Sequence, residues 1–97
     1  AFVKGRSGFD NLGNAVNELG DEWGAYDLGL HNENLVLKAR ELGLDTLIMG
    51  IRDGEKLREL LHIPEDQQIA AVIALGYGAA EPQMPKRKEL SETTVFF

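Results

Sequence analysis

The chain has 97 residues, of which 43% are hydrophobic and 27% charged, an ordinary balance for one small globular domain. With no cysteine, a disulfide scaffold, a thiolate metal site and a cysteine nucleophile are excluded, and two histidines leave little material for any metal site. The formal net charge of -6 disfavours nucleic acid as a partner. No apolar run approaches the ~20 residues of a membrane helix. We therefore expect a single cytoplasmic domain over residues 1–97, without a membrane partner.

The first residues, 1–4, are strand-like and lack an initiator methionine. Because most chains begin with a few polar, loosely held residues, we expect this sequence to be part of a longer chain. Residues 5–25 are then interrupted by glycines, with apolar side chains between them. Loops of this length are uncommon in a compact domain, so we predict an arm that packs on another surface, with one helical turn over 14–19.

A helical pattern follows between Asp27, a plausible N-cap, and Gly43, the expected C-terminal stop. Leu30 and Leu37 project from the side opposite the main apolar stripe, so we expect a helix that is sandwiched between layers or against a second subunit. The main stripe consists of Leu28, Leu35, Val36, Ala39 and Leu42.

Residues 45–49 predict a short, largely buried strand that ends at Gly50. Asp53 can cap a second helix, which Pro64 ends. The apolar run 69–75 is typical of a strand buried on both faces. This order favours a sheet with helices packed on its faces.

The C-terminal tail is irregular apart from an expected edge strand over 93–97. It carries the basic run 86–88, Lys86-Arg87-Lys88, in an otherwise acidic chain. A solvated charge run explains it, and so does a local anion site, because arginine grips phosphate bidentately and lysine adds a point charge. The residues alone leave both interpretations open.

Several other patterns suggest chemistry, and each has a simpler explanation. Residues 76–78 begin like a dinucleotide fingerprint but lack the third glycine that opens a helix, which favours a plain strand exit. Arg6 and Ser7 offer a phosphate contact, although a solvated loop is commoner. His62 suits the last turn of a helix. Nothing near His31 orients it as a general base, so we predict no catalytic side chain.

The segment 49–53 is the more informative one, because a strand ends there, Gly50 allows close approach to the backbone, and a capped helix begins. In open α/β sheets, ligands favour such strand-to-helix loops. An ordinary β–α turn is the alternative interpretation.

Together these segments resemble the C-terminal part of the nitroreductase family of FMN-dependent NAD(P)H oxidoreductases. The resemblance covers most of residues 22–97, and its motifs occur in the family's order and spacing. It includes the family's central helix at 27–39 and, at 42–50, a leucine–glycine pair followed by a strand and a glycine. The next helix and proline turn lie at 57–65, and the strand that exits through glycine and an aromatic lies at 71–77. The closing basic segment lies at 85–92.

The resemblance implies an α+β fold, a three-layer α/β/α sandwich of the nitroreductase type, with only its C-terminal half in this chain. It implies that main-chain groups at Met49 and Gly50 lie over one face of the flavin ring. It places Arg87 at the family's phosphate arginine, with Lys86 as a neighbouring cation. The family's arginine–serine–x–arginine motif lies outside these residues. Arg6 and Ser7 do not supply it, because Phe9 stands where the motif has its second arginine.

The resemblance also implies a homodimer whose flavin sites are built from both subunits. Hydride would pass from NAD(P)H as co-substrate, through FMN, to a small-molecule acceptor such as a nitroaromatic or a quinone. Two other hypotheses remain: a cofactor-free fragment or interaction module of the same fold, and a binder of phosphate metabolites centred on Arg87.

Overall fold

The computed structural model describes residues 1–97. The strands pair as two separate two-stranded antiparallel sheets, β1 with β3 and β2 with β4. Helices and antiparallel sheets within one chain make this an α+β fold, as predicted. In chain order the elements are β1 (Phe2–Val3), α1 (Glu22–Glu41), β2 (Asp45–Met49), α2 (Gly54–Leu61), β3 (Gln67–Gln68), β4 (Val72–Gly76) and α3 (Leu90–Thr93).

Helix α1 begins earlier than predicted, at Glu22, so residues 22–25 belong to the helix and not to the arm. The expected N-cap, Asp27, lies inside the helix, where its carboxylate accepts a hydrogen bond from the Ser7 hydroxyl. Asp21 precedes the helix instead, and its carboxylate accepts the Gly5 N–H at 2.6 Å. The acidic side chains at this end therefore tie the arm to the helix and do not cap it.

The early start of α1 is explained by packing against the N-terminal residues. A Cβ on Gly24 would lie 2.6 Å from Cδ2 of Phe2, so the phenyl ring occupies the space that a side chain would take. Trp23, in the same turn of α1 as Gly24, also packs against the arm, since its Cβ lies 2.9 Å from the position that a Cβ on Gly8 would take. These contacts offset the cost of about 1 kcal/mol that glycine carries inside a helix.

Between β1 and α1 the chain forms turns, and the helical turn predicted over 14–19 is wrong. The Asp10 carboxylate competes with helix formation there, because it accepts the N–H groups of Leu12 and Asn14, each at 2.9 Å. The backbone hydrogen bond from Asn14 is the main reason why the pKa of Asp10 lies below its ordinary value.

The C-terminal end of α1 confirms the predicted stop at Gly43, which adopts a positive φ of 79°. Its N–H donates to the Arg40 carbonyl at 3.0 Å, and the next N–H, of Leu44, donates to the Ala39 carbonyl at 2.9 Å. This Schellman arrangement turns the chain directly into β2.

Strand β2 has the predicted bounds, whereas β4 begins at Val72 and not at Ile69. The expected burial of both strands is wrong, because Leu47 is 61% exposed and Leu75 57%. These side chains are exposed because only α1 packs against β2, and no further layer of this chain covers the rest of the two-stranded sheet.

Only Gly24, Ala39 and Ile69 are buried in the structure. The radius of gyration, 17.0 Å, also exceeds the value of about 13 Å that is typical of a compact domain of this size. Large apolar side chains on α1, α2 and the β2–β4 sheet therefore face outwards. None of the helices combines the length and the apolar character needed to cross a membrane.

The tail differs from its prediction, since residues 93–97 form no strand and α3 occupies 90–93. Glu89 and Glu92 make a capping box in which the Glu89 N–H donates to Glu92 Oε2 at 3.0 Å. Because no strand of the structure pairs with this segment, the local capping interaction outweighs the β propensity of its last residues.

Candidate functional site

A cavity of about 300 Å³ lies where β2 ends and α2 begins. This volume is at the lower end of the range for small-molecule sites, about 300 to 1,000 Å³. Its walls are mainly apolar and come from the ends of β2 and β4, from the loop between β2 and α2, and from one face of α2. The lining residues are Met49, Ile51, Arg52, Asp53, Lys56, Leu57, Leu60 and Val72.

The start of α2 is fixed by Asp53, which confirms the predicted N-cap. Its carboxylate accepts the Lys56 N–H at 3.1 Å, and Lys56 Nζ lies 3.5 Å from Oδ2 of the same carboxylate. Both side chains are more than half exposed, so this ion pair is screened by solvent. One wall of the cavity therefore rests on a helix start that the local sequence defines.

Met49 lines the cavity, and Gly50 stands between two lining residues, Met49 and Ile51, without lining it itself. Met49 is half-buried and forms part of the wall, while Gly50 is exposed. A Cβ added to Gly50 would meet no atom within 4 Å, so that side of its backbone is open, while its carbonyl accepts a hydrogen bond from Arg52. A flat ligand can therefore approach the main chain at this point.

Arg52 is the residue of this site whose role the sequence did not reveal. Its Nη1 donates to the Gly50 carbonyl at 2.7 Å, and its Nη2 donates to the carbonyl of Ile69. Ile69 is only 6% exposed. The guanidinium thus ties the exposed loop to one of the few buried points of the molecule. The second partner is distant in sequence, so no local pattern indicates it.

The predicted phosphate contacts, Lys86 and Arg87, lie in the exposed tail and outside the cavity. The four ion pairs of the structure involve other residues, so both cations are available to an anion. Of the four predicted cofactor contacts, Met49 lines the cavity, Gly50 is next to it in the chain, and the two cations lie elsewhere. The phosphate role of Lys86 and Arg87 stays a prediction.

The glycines at 76 and 78 serve the strand exit and not a dinucleotide site, because no helix follows them before Leu90. The Gly78 N–H donates to Asp45 Oδ2 at 2.9 Å, and a Cβ on Gly78 would lie 2.8 Å from that oxygen. Asp45 is also paired with Arg40 at 2.8 Å. Glycine at 78 leaves room for the Asp45 carboxylate, which approaches the backbone closely.

The remaining candidates have structural roles or none. His62 terminates α2 in a left-handed conformation with φ of 53°, and its N–H donates to the Glu59 carbonyl at 3.4 Å. His31 is exposed on α1, and Arg6 is exposed in the arm. No group of three or more histidine, aspartate or glutamate side chains is placed to hold a metal ion.

The sequence comparisons agree on one family. The model of the nitroreductase family matches residues 13–77. A protein of Archaeoglobus fulgidus, provisionally named NADH dehydrogenase/NAD(P)H nitroreductase, is 39% identical over 61 residues, which cover 59% of this chain and 34% of that protein. The chain thus spans about a third of the length of this curated relative. No solved structure matches it. Because the family model covers more than half of the chain, the chain belongs to the nitroreductase family.

The matched region includes the whole cavity and its Met49–Gly50 loop, and it ends before Lys86 and Arg87. Family membership therefore rests on the segments that build the cavity. The two tail cations are tied to the family only by the resemblance of the closing basic segment.

Proposed function

We propose that this chain contributes the flavin-contacting part of an FMN-dependent NAD(P)H oxidoreductase of the nitroreductase type. The observation that carries the proposal is the cavity at the end of β2, where apolar walls meet an uncrowded glycine backbone. This combination suits a flat, largely apolar ring that is read by main-chain groups. It lies within the part of the chain that the family model matches.

The residues present fit such a group. Met49, Leu57 and Val72 provide apolar surface for a ring, and the open side of Gly50 leaves room beside the backbone. Arg87 offers a bidentate grip on a phosphate, and Lys86 adds a second positive charge. Both are exposed and free of ion pairs.

When bound, FMN supplies the hydride chemistry between NAD(P)H and a nitroaromatic or quinone-type acceptor. The protein's own share would be to hold the ring beside the Met49–Gly50 backbone, to offer it the apolar side chains of the wall, and to neutralise the phosphate with Arg87 and Lys86. No side chain of the cavity is required as an acid or a base. A cytoplasmic location stays a prediction that accompanies this function.

The competing function is a cofactor-free interaction module of the same fold. It is favoured by the small number of buried residues and by the separation of Lys86 and Arg87 from the cavity. Flavin binding separates the two functions directly, because an interaction module has no reason to bind FMN.

The test of the flavin function is a titration of FMN fluorescence with the purified chain and two tail variants. We expect the wild-type chain to quench FMN, and Arg87→Ala to weaken binding about tenfold, because a bidentate charge-assisted contact is lost. Lys88→Ala is the matched control, since it removes a cation from the same run, and it should weaken binding less than about twofold.

Unchanged FMN fluorescence with the wild-type chain would contradict the flavin function and leave the interaction module. Equal losses in the two variants would contradict the assignment of Arg87. A parallel titration with AMP tests the third hypothesis, because a phosphate-metabolite binder would bind AMP as tightly as FMN and lose both with Arg87→Ala.

We also propose that a second copy of this chain covers α1. Leu30 and Leu37 lie on the same side of the helix and are 53% and 59% exposed. Apolar side chains at helical spacing on an outer face are typical of a helix that packs against a partner.

The substitution Leu37→Glu should yield a monomer, because it places a charge in this contact. Light scattering measures the mass of the particle. Leu61→Glu on α2 is the matched control, since Leu61 is 61% exposed, and it should leave the dimer intact. A dimer that persists in the soluble Leu37→Glu variant would contradict the placement of the interface.

A further inference from the structure

We propose that Arg52 is a positioning residue, which holds the Gly50 backbone in the conformation that receives the flavin ring. The inference rests on the proposed function and deepens it. Arg52 Nη1 donates to the Gly50 carbonyl at 2.7 Å, and Nη2 donates to the Ile69 carbonyl. One guanidinium therefore joins the two chain segments that border the cavity.

The place of this bridge explains why it is needed. The β2–β4 ladder ends at the pair Met49–Val72, and Gly50 lies beyond it. Backbone pairing therefore does not hold the loop at the point where the ligand is expected. Arg52 replaces the missing pairing by anchoring the loop to Ile69, which is 6% exposed and so belongs to the best-packed part of the chain.

Arginine is suited to this task for a geometric reason. Its guanidinium is planar and presents several donors in a fixed fork, so it can hold two carbonyl oxygens at a set distance and angle. Lysine keeps the charge but offers a single flexible point of contact. Replacing Arg52 by lysine therefore removes the fixed geometry and leaves the net charge of the cavity unchanged.

Arg58, on α2, makes similar side-chain hydrogen bonds to two carbonyls and provides a control. Arg58 donates to the Ile63 carbonyl at 3.1 Å and to the Gln67 carbonyl at 2.8 Å, and its side chain is 19% exposed. It does not line the cavity. A lysine at 58 should therefore disturb the same kind of carbonyl bridge without touching the loop at Gly50.

The experiment compares Arg52→Lys with Arg58→Lys in the full chain. We expect Arg52→Lys to weaken FMN binding about tenfold, as the loss of one charge-assisted hydrogen bond implies. It should also change the visible circular dichroism of bound FMN, because the ring lies against a rearranged backbone. Arg58→Lys should lower Tm at least as much as Arg52→Lys and leave both FMN readouts unchanged.

Equal effects of the two variants on FMN binding and on the dichroism would overturn the inference. Its failure is distinguishable from that of the proposed function, because backbone NMR order parameters are measured on the flavin-free chain as well. Arg52→Lys should lower the order parameters of Gly50 and Ile51, whereas Arg58→Lys should leave them unchanged. Unchanged order parameters in Arg52→Lys would overturn the inference. A wild-type chain that binds no FMN would instead overturn the proposed function, and with it the link between Arg52 and the flavin.

Discussion

The two ends of the β2–β4 sheet are both closed by a charged side chain that reaches the backbone, but with opposite chemistry. At one end the Asp45 carboxylate accepts the Gly78 N–H and pairs with Arg40. At the other end the Arg52 guanidinium donates to the carbonyls of Gly50 and Ile69. The acidic end joins α1 to the strand exit and borders an open cavity of about 1300 Å³, whereas the basic end borders the cavity of about 300 Å³.

The two ends differ in the space beside the glycine at each of them. At the acidic end the space beside Gly78 is taken by the Asp45 carboxylate, which a Cβ would approach to 2.8 Å. At the basic end the space beside Gly50 is open. Gly78 therefore accommodates this chain's own side chain, whereas no side chain of this chain occupies the space beside Gly50.

Among substitutions at the acidic end, Asp45→Ala should destabilise the chain most. The substitution removes the Arg40 pair and leaves the Gly78 N–H to water, so the free energy of unfolding should fall by about 1 kcal/mol and Tm by roughly 4–8 °C. The estimate is modest because the Asp45 side chain is 50% exposed. Urea unfolding and a thermal scan measure both quantities.

Asp45→Asn is the matched control, since it keeps an acceptor for Gly78 and should recover part of the lost stability. FMN binding should be unchanged in both variants. A loss of FMN affinity as large as that of Arg52→Lys would contradict the separation between the two ends.

A smaller effect is expected from Gly78→Ala. The new Cβ forces the Asp45 carboxylate to shift, which should cost about 0.5 kcal/mol because the displaced group is the end of a flexible side chain. In the Asp45→Ala background the same substitution should cost almost nothing. A double-mutant cycle from urea unfolding measures this coupling. Additive costs would show that the close approach is not the reason for glycine at 78.

The sequence predicted those elements whose signals are local. The bounds of β2, the N-cap at Asp53 and the stop at Gly43 were all correct, because each depends on neighbouring residues or on the conformational freedom of glycine. The start of α1 was misplaced because the packing of Phe2 on Gly24 makes that glycine helical, and no local pattern reports a contact across the chain.

Burial and the tail were predicted wrongly for related reasons. Apolar strands were expected to be buried, but burial depends on what covers them, and Leu47 and Leu75 have no covering layer in this chain. The last residues favour a strand by composition, yet a strand needs a partner, and none pairs with them. The capping pair Glu89 and Glu92 was the local signal that the strand interpretation overlooked.

The candidate site was predictable in part. The strand-to-helix pattern pointed to the segment 49–53, and four of its five residues line a cavity in the structure. The contribution of Arg52 was not predictable, because its bond to Ile69 joins segments that only the folded chain brings together. The roles of Lys86 and Arg87 depend on the family resemblance, and they stay predictions.

The flavin site at the Met49–Gly50 loop can be tested by mapping the amide hydrogens that FMN protects on this chain. Exchange is measured by mass spectrometry with and without saturating FMN. We predict slower exchange over residues 49–52 at the basic end of the β2–β4 sheet and unchanged exchange over residues 76–80 at the acidic end. Protection confined to the acidic end, or the absence of any protection, would contradict the assignment of the flavin site to the Met49–Gly50 loop.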